Sequence, residues 1–332
     1  MRRLALRLGR RLLGGLVMIW VVSTFTFFIV HALPGDPVQV QYETLLARGV
    51  PPDQAQHQVA VMYGFVPHTS VWHQYGDYIF GLAHGDFGQS ISYTGVGVGH
   101  IVLAAAPWTV VLVLTGILAS FLVGVSLGVL AAVRRSSRIG DLLSVSGSLL
   151  HGIPQFVLAL LLLYIFSTQL AIMPYGAPYD ASYSPGLNWP FMQSVISHAI
   201  LPVAAYALSS YGGWLLTMKS SVISVLGDDF ILAAELRGLR GITVMRYVAR
   251  NAILPLFTIL ALSIGFMFGG SVFIESIFDY QGLGQMLLSS ISARDYPLMA
   301  GAFLLITAAV IVANILAELV YTVIDPRVRR QA

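Results

Sequence analysis

Six stretches of this 332-residue chain are each about twenty residues long and almost free of charge. They lie at about Leu12–Ala32, within Ile101–Val133, within Leu142–Met173, and at Phe191–Met218, Ala252–Ile274 and Leu298–Ala317. A helix needs roughly 20 mostly apolar residues to cross the hydrocarbon of a bilayer, where backbone groups must find their partners internally. The pattern predicts an all-α, polytopic membrane protein with six spans, the third kinked at Pro154. Only 10% of residues are charged and the mean hydropathy is +0.79, far from a soluble domain's roughly 25% charged. The start, "MRRLALRLGRRLL", looks like a signal peptide's basic region. The apolar run behind it is long enough to span and ends in no small-residue cleavage site, so it reads as a retained first span.

Charge placement sets the expected orientation. With the N-terminus inside, all but Arg48 and Arg294 of the 18 Lys/Arg fall on the cytoplasmic side, as the positive-inside rule requires. Residues 1–11 then form a basic cytoplasmic N-terminus and 327–332 a basic cytoplasmic tail. Residues 12–326 form a single transmembrane domain. The outer stretch 33–100 is expected to hold short helices and turns, to stay out of the bilayer, and to be no separate domain. Pro174–Pro190 reads as an irregular outer loop. Because topology segregates the basic residues, the pI of 9.2 points to no nucleic acid. The chain has no cysteine, which excludes disulfides, thiol catalysis and Cys-ligated metal. Histidines 57, 68, 73 and 84, with Asp77 and Asp86, match no common zinc spacing, so no metal site is expected.

The cytoplasmic stretch 219–251 is the most informative. Within it, Asp228 or Asp229 is placed to cap a helix start. Gly238 is placed to end that helix about three turns later in the left-handed conformation. Phe230, Ala233, Ala234 and Arg237 fall on one face, and the two alanines permit close approach of another surface. Arg237, Arg240, Arg246 and Arg250 then lead into the fifth span. Periodicity leaves open whether this is a docking element or an ordinary loop.

The residues themselves carry a resemblance. "AAELRG" followed by "ARNAILP" resembles the cytoplasmic loop of ABC-importer permeases, in which Ala-Ala, three residues and Gly mark a coupling helix. The match is nearest to the B-type permease subunit of the dipeptide/oligopeptide (and nickel) ABC importer family. Ala233, Ala234 and Gly238 fit directly. Leu232 stands where the general motif has Glu, and Arg237 where close relatives often have Lys. The interval from Gly to Pro is longer than the general motif's, as in the peptide subfamily. "HALPGDP" (31–37), "GDFGQS" (85–90), "ESIFDYQGLGQ" (275–285), "RDYP" (294–297) and "DPRVRR" (325–330) follow the family's order over nearly the whole chain.

The resemblance implies a type I ABC importer permease of a bacterial inner (cytoplasmic) membrane, multi-pass, with both termini cytoplasmic. It implies a second, homologous permease subunit, two ATPase subunits that bind ATP and Mg, and an extracytoplasmic binding protein that delivers peptides. Nickel complexes or oligosaccharides are the alternative cargo. The coupling segment is then Asp228, Asp229, Phe230, Ala233, Ala234, Arg237, Gly238, Leu239 and Arg240. Candidates for the pathway or its outer gate are Glu275, Phe278, Gly282, Leu283, Gly284 and Leu287, with Leu283, Leu287 and Ile291 forming an apolar stripe. The outer stretch 33–100 is expected to meet the binding protein.

Catalysis is not expected in this chain. Its only lysine is Lys219, so it holds no phosphate-binding loop, and ATP hydrolysis falls to other subunits. Gly124-Val125-Ser126-Leu127-Gly128 fits the G-x-S-x-G pattern, but within an apolar span its glycines read as a helix-packing face. An intramembrane serine protease, with His31, His151 or His198 as base, is one rival. An ATP-independent secondary transporter is the other, although the spans carry no charge near their centres and no repeat is visible. Glu318 reads as snorkelling to the interface. Glu275, at the outer end of the fifth span, is either structural, gating or simply interfacial.

Overall fold

The computed structural model describes residues 2–32, 37–65 and 69–324, and it is helical, with no strand among them. Most of "HALPGDP", His68, "DPRVRR" and the basic tail lie outside the described residues, as do the side chains of Glu318 and of residues 2–8. The helices are α1 (Arg2–Ala32), α2 (Pro37–Ala47), α3 (Pro52–Tyr63), α4 (Val71–Ala83) and α5 (Val98–Val133). They continue with α6 (Arg138–Gly152), α7 (Gln155–Leu162), α8 (Trp189–Leu226), α9 (Asp229–Leu236) and α10 (Gly241–Ala252). The last three are α11 (Leu254–Ile277), α12 (Leu283–Ser292) and α13 (Tyr296–Ile324).

Among the described residues, Gly9–Ala32, Val98–Val133, Trp189–Leu226 and Tyr296–Leu316 are long and apolar enough to cross a membrane. The third expected span is not a kinked rod. Arg138–Gly152 and Gln155–Gln169 meet at 100°. The cause is local. A proline's ring pushes the residue before it out of the helical region, and Ile153 sits at φ −84, ψ 126. Pro154 then starts a new helix rather than bending the old one. Beyond α7 the chain continues as a π-helix over Leu163–Gln169. The fifth expected span is α11, 24 residues long, which corresponds to about 36 Å of helix.

The chain forms two compact units. One takes the residues up to Thr109 together with Gln281–Ile311; the other takes Val110–Tyr280 and the residues from Val312 on. In the first, Phe27 of α1 gathers Phe28, His31, Phe65, Tyr75 and Tyr78, with ring centroids 4.1 to 5.7 Å away. A second cluster joins Val98, Val102 and Ala105 of α5 to Leu283 and Leu287 of α12 and to Leu298 and Ala302 of α13. The Thr109 hydroxyl accepts the Leu283 N–H at 2.7 Å, serving the start of a helix whose N-cap, Gly282, has no side chain to do so.

One carboxylate ties distant parts of this unit together. Asp295, fully buried, accepts the Leu298 N–H at 3.2 Å and so caps α13. Its other oxygen accepts the Ser90 hydroxyl and the Ser92 N–H, the latter at 2.9 Å. The loop it holds also needs Gly88, at φ +76, where a Cβ would lie 2.2 Å from the Met62 carbonyl oxygen. "GDFGQS" and "RDYP" are thus parts of a single joint.

In the second unit small residues let helices touch. Gly116, Ser120, Gly124 and Gly128 recur every four residues along α5. A Cβ on these glycines would come within 2.5 to 2.7 Å of Trp214 and Tyr206 side chains or the Leu215 carbonyl on α8. Ser120 fills its place in the row by accepting the Trp214 indole N–H at 3.1 Å. On α6, Gly147 meets Gly212 of α8, where an added Cβ would sit 2.0 Å from the Gly147 carbonyl oxygen.

Two stability predictions follow from these contacts. Gly212→Ala forces a Cβ against the Gly147 backbone carbonyl, and neither atom can be moved by changing a rotamer. Overpacking of this kind costs about 1–3 kcal/mol. The purified protein's thermal midpoint should fall, whereas Gly14→Ala, with nothing within 4 Å, should leave it unchanged. Asp295→Ala removes a cap and strands two donors, a loss of about 2–4 kcal/mol. Limited proteolysis should then open the loop around Ser90, and a wild-type cleavage pattern would show that the joint is dispensable.

Candidate functional site

The segment after α8 is built from short, well-terminated pieces. Gly227 closes α8 and Asp228 takes the N-cap position of α9 at φ −77, ψ 142. Neither expected aspartate cap is made by a side chain. Asp228 lends its backbone instead, its carbonyl accepting the Ile231 N–H at 3.0 Å, while Asp229 lies in the first turn. The helix is eight residues long, two turns rather than three. Arg237 is its C-cap, and Gly238 stands at φ +71. The Leu239 N–H reaches the Ala234 carbonyl at 3.3 Å and the Gly238 N–H the Glu235 carbonyl at 2.8 Å, the pair of bonds that defines a Schellman ending. Arg240 then starts α10 as its N-cap.

The four residues expected on one outward face do not all point outward. Ile231 and Ala234, one turn apart, are buried against Val244 and Val248 of α10 and against Met218 and Val222 of α8. Ala234 turns inward because Ile231, the bulkier apolar residue, draws its own side of the helix to the core. Phe230, Ala233 and Arg237 remain exposed. Beside them Leu232 and Leu236 are 57% and 80% exposed, an apolar surface outside the face that periodicity marks. The two alanines of the motif therefore divide. Ala234 lets α9 close on its own chain, and Ala233 leaves a shallow place on the free side. The Ser221 hydroxyl of α8 donates to the Ala252 carbonyl at 2.7 Å, tying α8 to the junction of α10 and α11. Lys219 donates to Ser144 of α6 at 2.6 Å.

Glu275 is not at a solvated interface, because none of its surface is exposed. It lies in a buried polar cluster with Tyr206 of α8, Ser271 one turn earlier on α11, and Tyr280 just beyond that helix. Burial and, second, the nearby Glu275 charge push the Tyr280 phenol up to about 12. The cluster's partner on α8, Tyr206, had no visible motif in the sequence. Phe278 is buried beside this cluster's end of the chain. Gly282, Leu283, Gly284 and Leu287 belong to the other unit, where Leu283 and Leu287 are packed into the core. Ile291, expected to continue their stripe, is 51% exposed, so the stripe is two residues long.

Ser126 sits mid-helix in α5 and is exposed, between glycines that pack on α8. Among the described residues no histidine is hydrogen-bonded to it. His198 bonds the Ser194 carbonyl of its own helix, and His31 bonds Phe27 and Gln74. The protease arrangement is absent there.

The profile of the family described as "binding-protein-dependent transport system inner membrane component" matches residues 124–330. Over 321 residues the chain is 31% identical to a protein of Brucella suis biovar 1 (strain 1330) provisionally named a peptide permease, covering 96% of this chain and 97% of that one. It is 30% identical to the oligopeptide transport system permease protein AppB of Bacillus subtilis (strain 168), over 96% of this chain and 98% of the relative. The dipeptide transport system permease protein DppB of Escherichia coli (strain K12) is also 30% identical, over 93% and 94%. A helical, multi-pass architecture, a membrane-embedded row of packing glycines and an end-to-end match to transport permeases agree: this chain belongs to the family of binding-protein-dependent transport system inner membrane components.

Proposed function

We propose that this chain is one of two homologous permease subunits of an ATP-driven importer. Together they form the path for di- and oligopeptides handed over by an extracytoplasmic binding protein. The names of its relatives support the cargo class, and their full-length alignment supports the subunit type. Two separate ATPase subunits bind ATP and Mg; this chain binds neither. Both termini face the cytoplasm, as the segregation of its Lys/Arg residues favours.

The observation that carries this reading is the exposed side of α9. Leaving Phe230, Leu232 and Leu236 in water forgoes about 1.5–3 kcal/mol for each large side chain that a partner would bury. A two-turn helix locked at one end by a Schellman turn and glued along its inner side to α8 and α10 is a stiff knob, suited to a groove on an ATPase. Displacement of that knob is passed to α8 and α11 by the core that Ile231 and Ala234 share with Val222, Val248 and Leu256. Coupling of this kind is a free energy exchanged between two sites, and it works in both directions.

The test uses the complex reconstituted with its ATPases and binding protein. Ala233→Asp puts a carboxylate on the docking side, where an unpaired buried charge costs several kcal/mol. Since about 1.4 kcal/mol is tenfold, stimulated ATPase and import should fall at least about tenfold while the complex still assembles. Ala234→Asp is the contrast: it buries the charge inside this chain and should reduce the amount of folded protein. Wild-type import by the Ala233 variant would remove α9 from the coupling path.

A second test concerns the outer side, where Glu275, Phe278 and the turn to α12 are proposed to govern access. Glu275→Gln keeps the side chain's size and removes a charge that is costly to bury. Transport should drop while the thermal midpoint holds or rises. A lower midpoint with unchanged transport would make Glu275 purely structural.

A further inference from the structure

The helix α4 has two unlike sides. Its inner side is fixed to α1: the Tyr75 hydroxyl meets the Thr24 hydroxyl at 2.7 Å, and the Gln74 side-chain Oε1 meets His31 Nε2 at 2.8 Å. Its outer side leaves Trp72 and Phe80 exposed at 74% and 68%. These two residues are two turns apart, with Gly76 between them. His73 and Asp77, paired at 3.7 Å, and His84, bonded to the Phe80 carbonyl, form a polar rim along one edge. The helix has no Lys or Arg.

Where α4 touches α1 decides what covers that outer side. Thr24 lies eight residues before Ala32, the end of α1, which is about 12 Å along the axis. At the same level α1 leaves Phe25 65% and Ile29 41% exposed, and its Phe28 ring is 5.9 Å from the Trp72 ring. The bare side of α4 therefore continues the bare side of a membrane span. We propose that α4 lies in the interfacial layer of the bilayer, with Trp72 and Phe80 at the boundary of headgroups and acyl chains and the His73–Asp77–His84 edge toward water. An apolar side carrying Trp and Phe beside a polar edge suits that layer, and Trp is enriched there. Lacking cationic side chains, the helix needs no anionic lipid. This departs from the expectation that 33–100 stays clear of the bilayer, and it does not depend on which side of the membrane faces out.

Because the chain has no cysteine, single labels can be placed at will. The probe is a nitroxide on Trp72→Cys, Phe80→Cys or Asp77→Cys in the assembled complex, its partners freed of cysteine, in phosphatidylcholine vesicles. Trp72 and Phe80 are exposed and Asp77 is partly exposed, so the fold should tolerate all three, and wild-type ATPase activity checks this. Collision with oxygen relative to a water-soluble nickel chelate should be several-fold higher at 72 and 80 than at 77, which lies farther round the helix toward the polar edge. Equal, water-like ratios at all three would overturn the proposal. Shielding of 72 and 80 from both reagents would also overturn it, by assigning this side to another subunit.

Discussion

Helices in hydrocarbon gain little by hiding leucine from lipid, so what joins them must be close contact. In this chain that contact is the row Gly116–Ser120–Gly124–Gly128 of α5 against α8, with Gly147 of α6 against Gly212 on the same helix. At Gly116, Gly124, Gly128 and Gly212 the approach is closer than a Cβ would permit, and Ser120 takes its place in the row by a hydrogen bond. The longest helix, α8, is thereby held between two neighbours along backbone, and its C-terminal end is placed where Met218 and Val222 can receive Ile231 of α9. The helix α9 is thus positioned by glycines that lie on other helices.

Long uncharged runs made the spans legible, because length and apolarity alone decide whether a helix can cross. The left-handed Gly238 was legible too, since few residues other than glycine tolerate that conformation. Finer features were not. Pro154 signalled a kink, but the 100° angle came with Ile153 adopting an extended conformation, which a hydropathy plot does not register. The two alanines of α9 looked equivalent by periodicity; only the bulk of Ile231 decided that one faced in and one out. Glu275 stood at a span's end in sequence and proved to be buried, because Tyr206 reaches it from α8 and the chain beyond α11 brings Tyr280 back beside it. The joint between Ser90 and Asp295 lay hidden for a similar reason: each half was a recognisable motif, and neither half named the other.

The two clusters of buried polar groups serve different ends. Asp295 has three donors in fixed positions, an arrangement that locks a loop to a helix start. Glu275 sits among hydroxyl groups of tyrosine and serine, which rotate and can both give and accept a hydrogen bond. The first arrangement is rigid by geometry, whereas the second can rearrange without breaking backbone bonds. That contrast agrees with a proposed role in access for Glu275 and with a scaffold role for Asp295.

The reach of the Asp295 joint also bears on how the chain is made. Its two sides are 205 residues apart. At a synthesis rate of about 5–20 residues per second, the loop carrying Ser90 waits roughly 10–40 s for its partner to leave the ribosome. During that interval residues 85–97 have bonds only to nearby or earlier residues, among them the Asp86 carboxylate holding the Gly88 N–H at 2.9 Å and the Met62 carbonyl accepting the Gln89 N–H at 3.1 Å. The nascent protein therefore passes through a stage in which the loop around Ser90 is made but unfinished. It is completed by a segment made 205 residues later, so a ribosome stalled after α11 leaves a chain whose first unit cannot close.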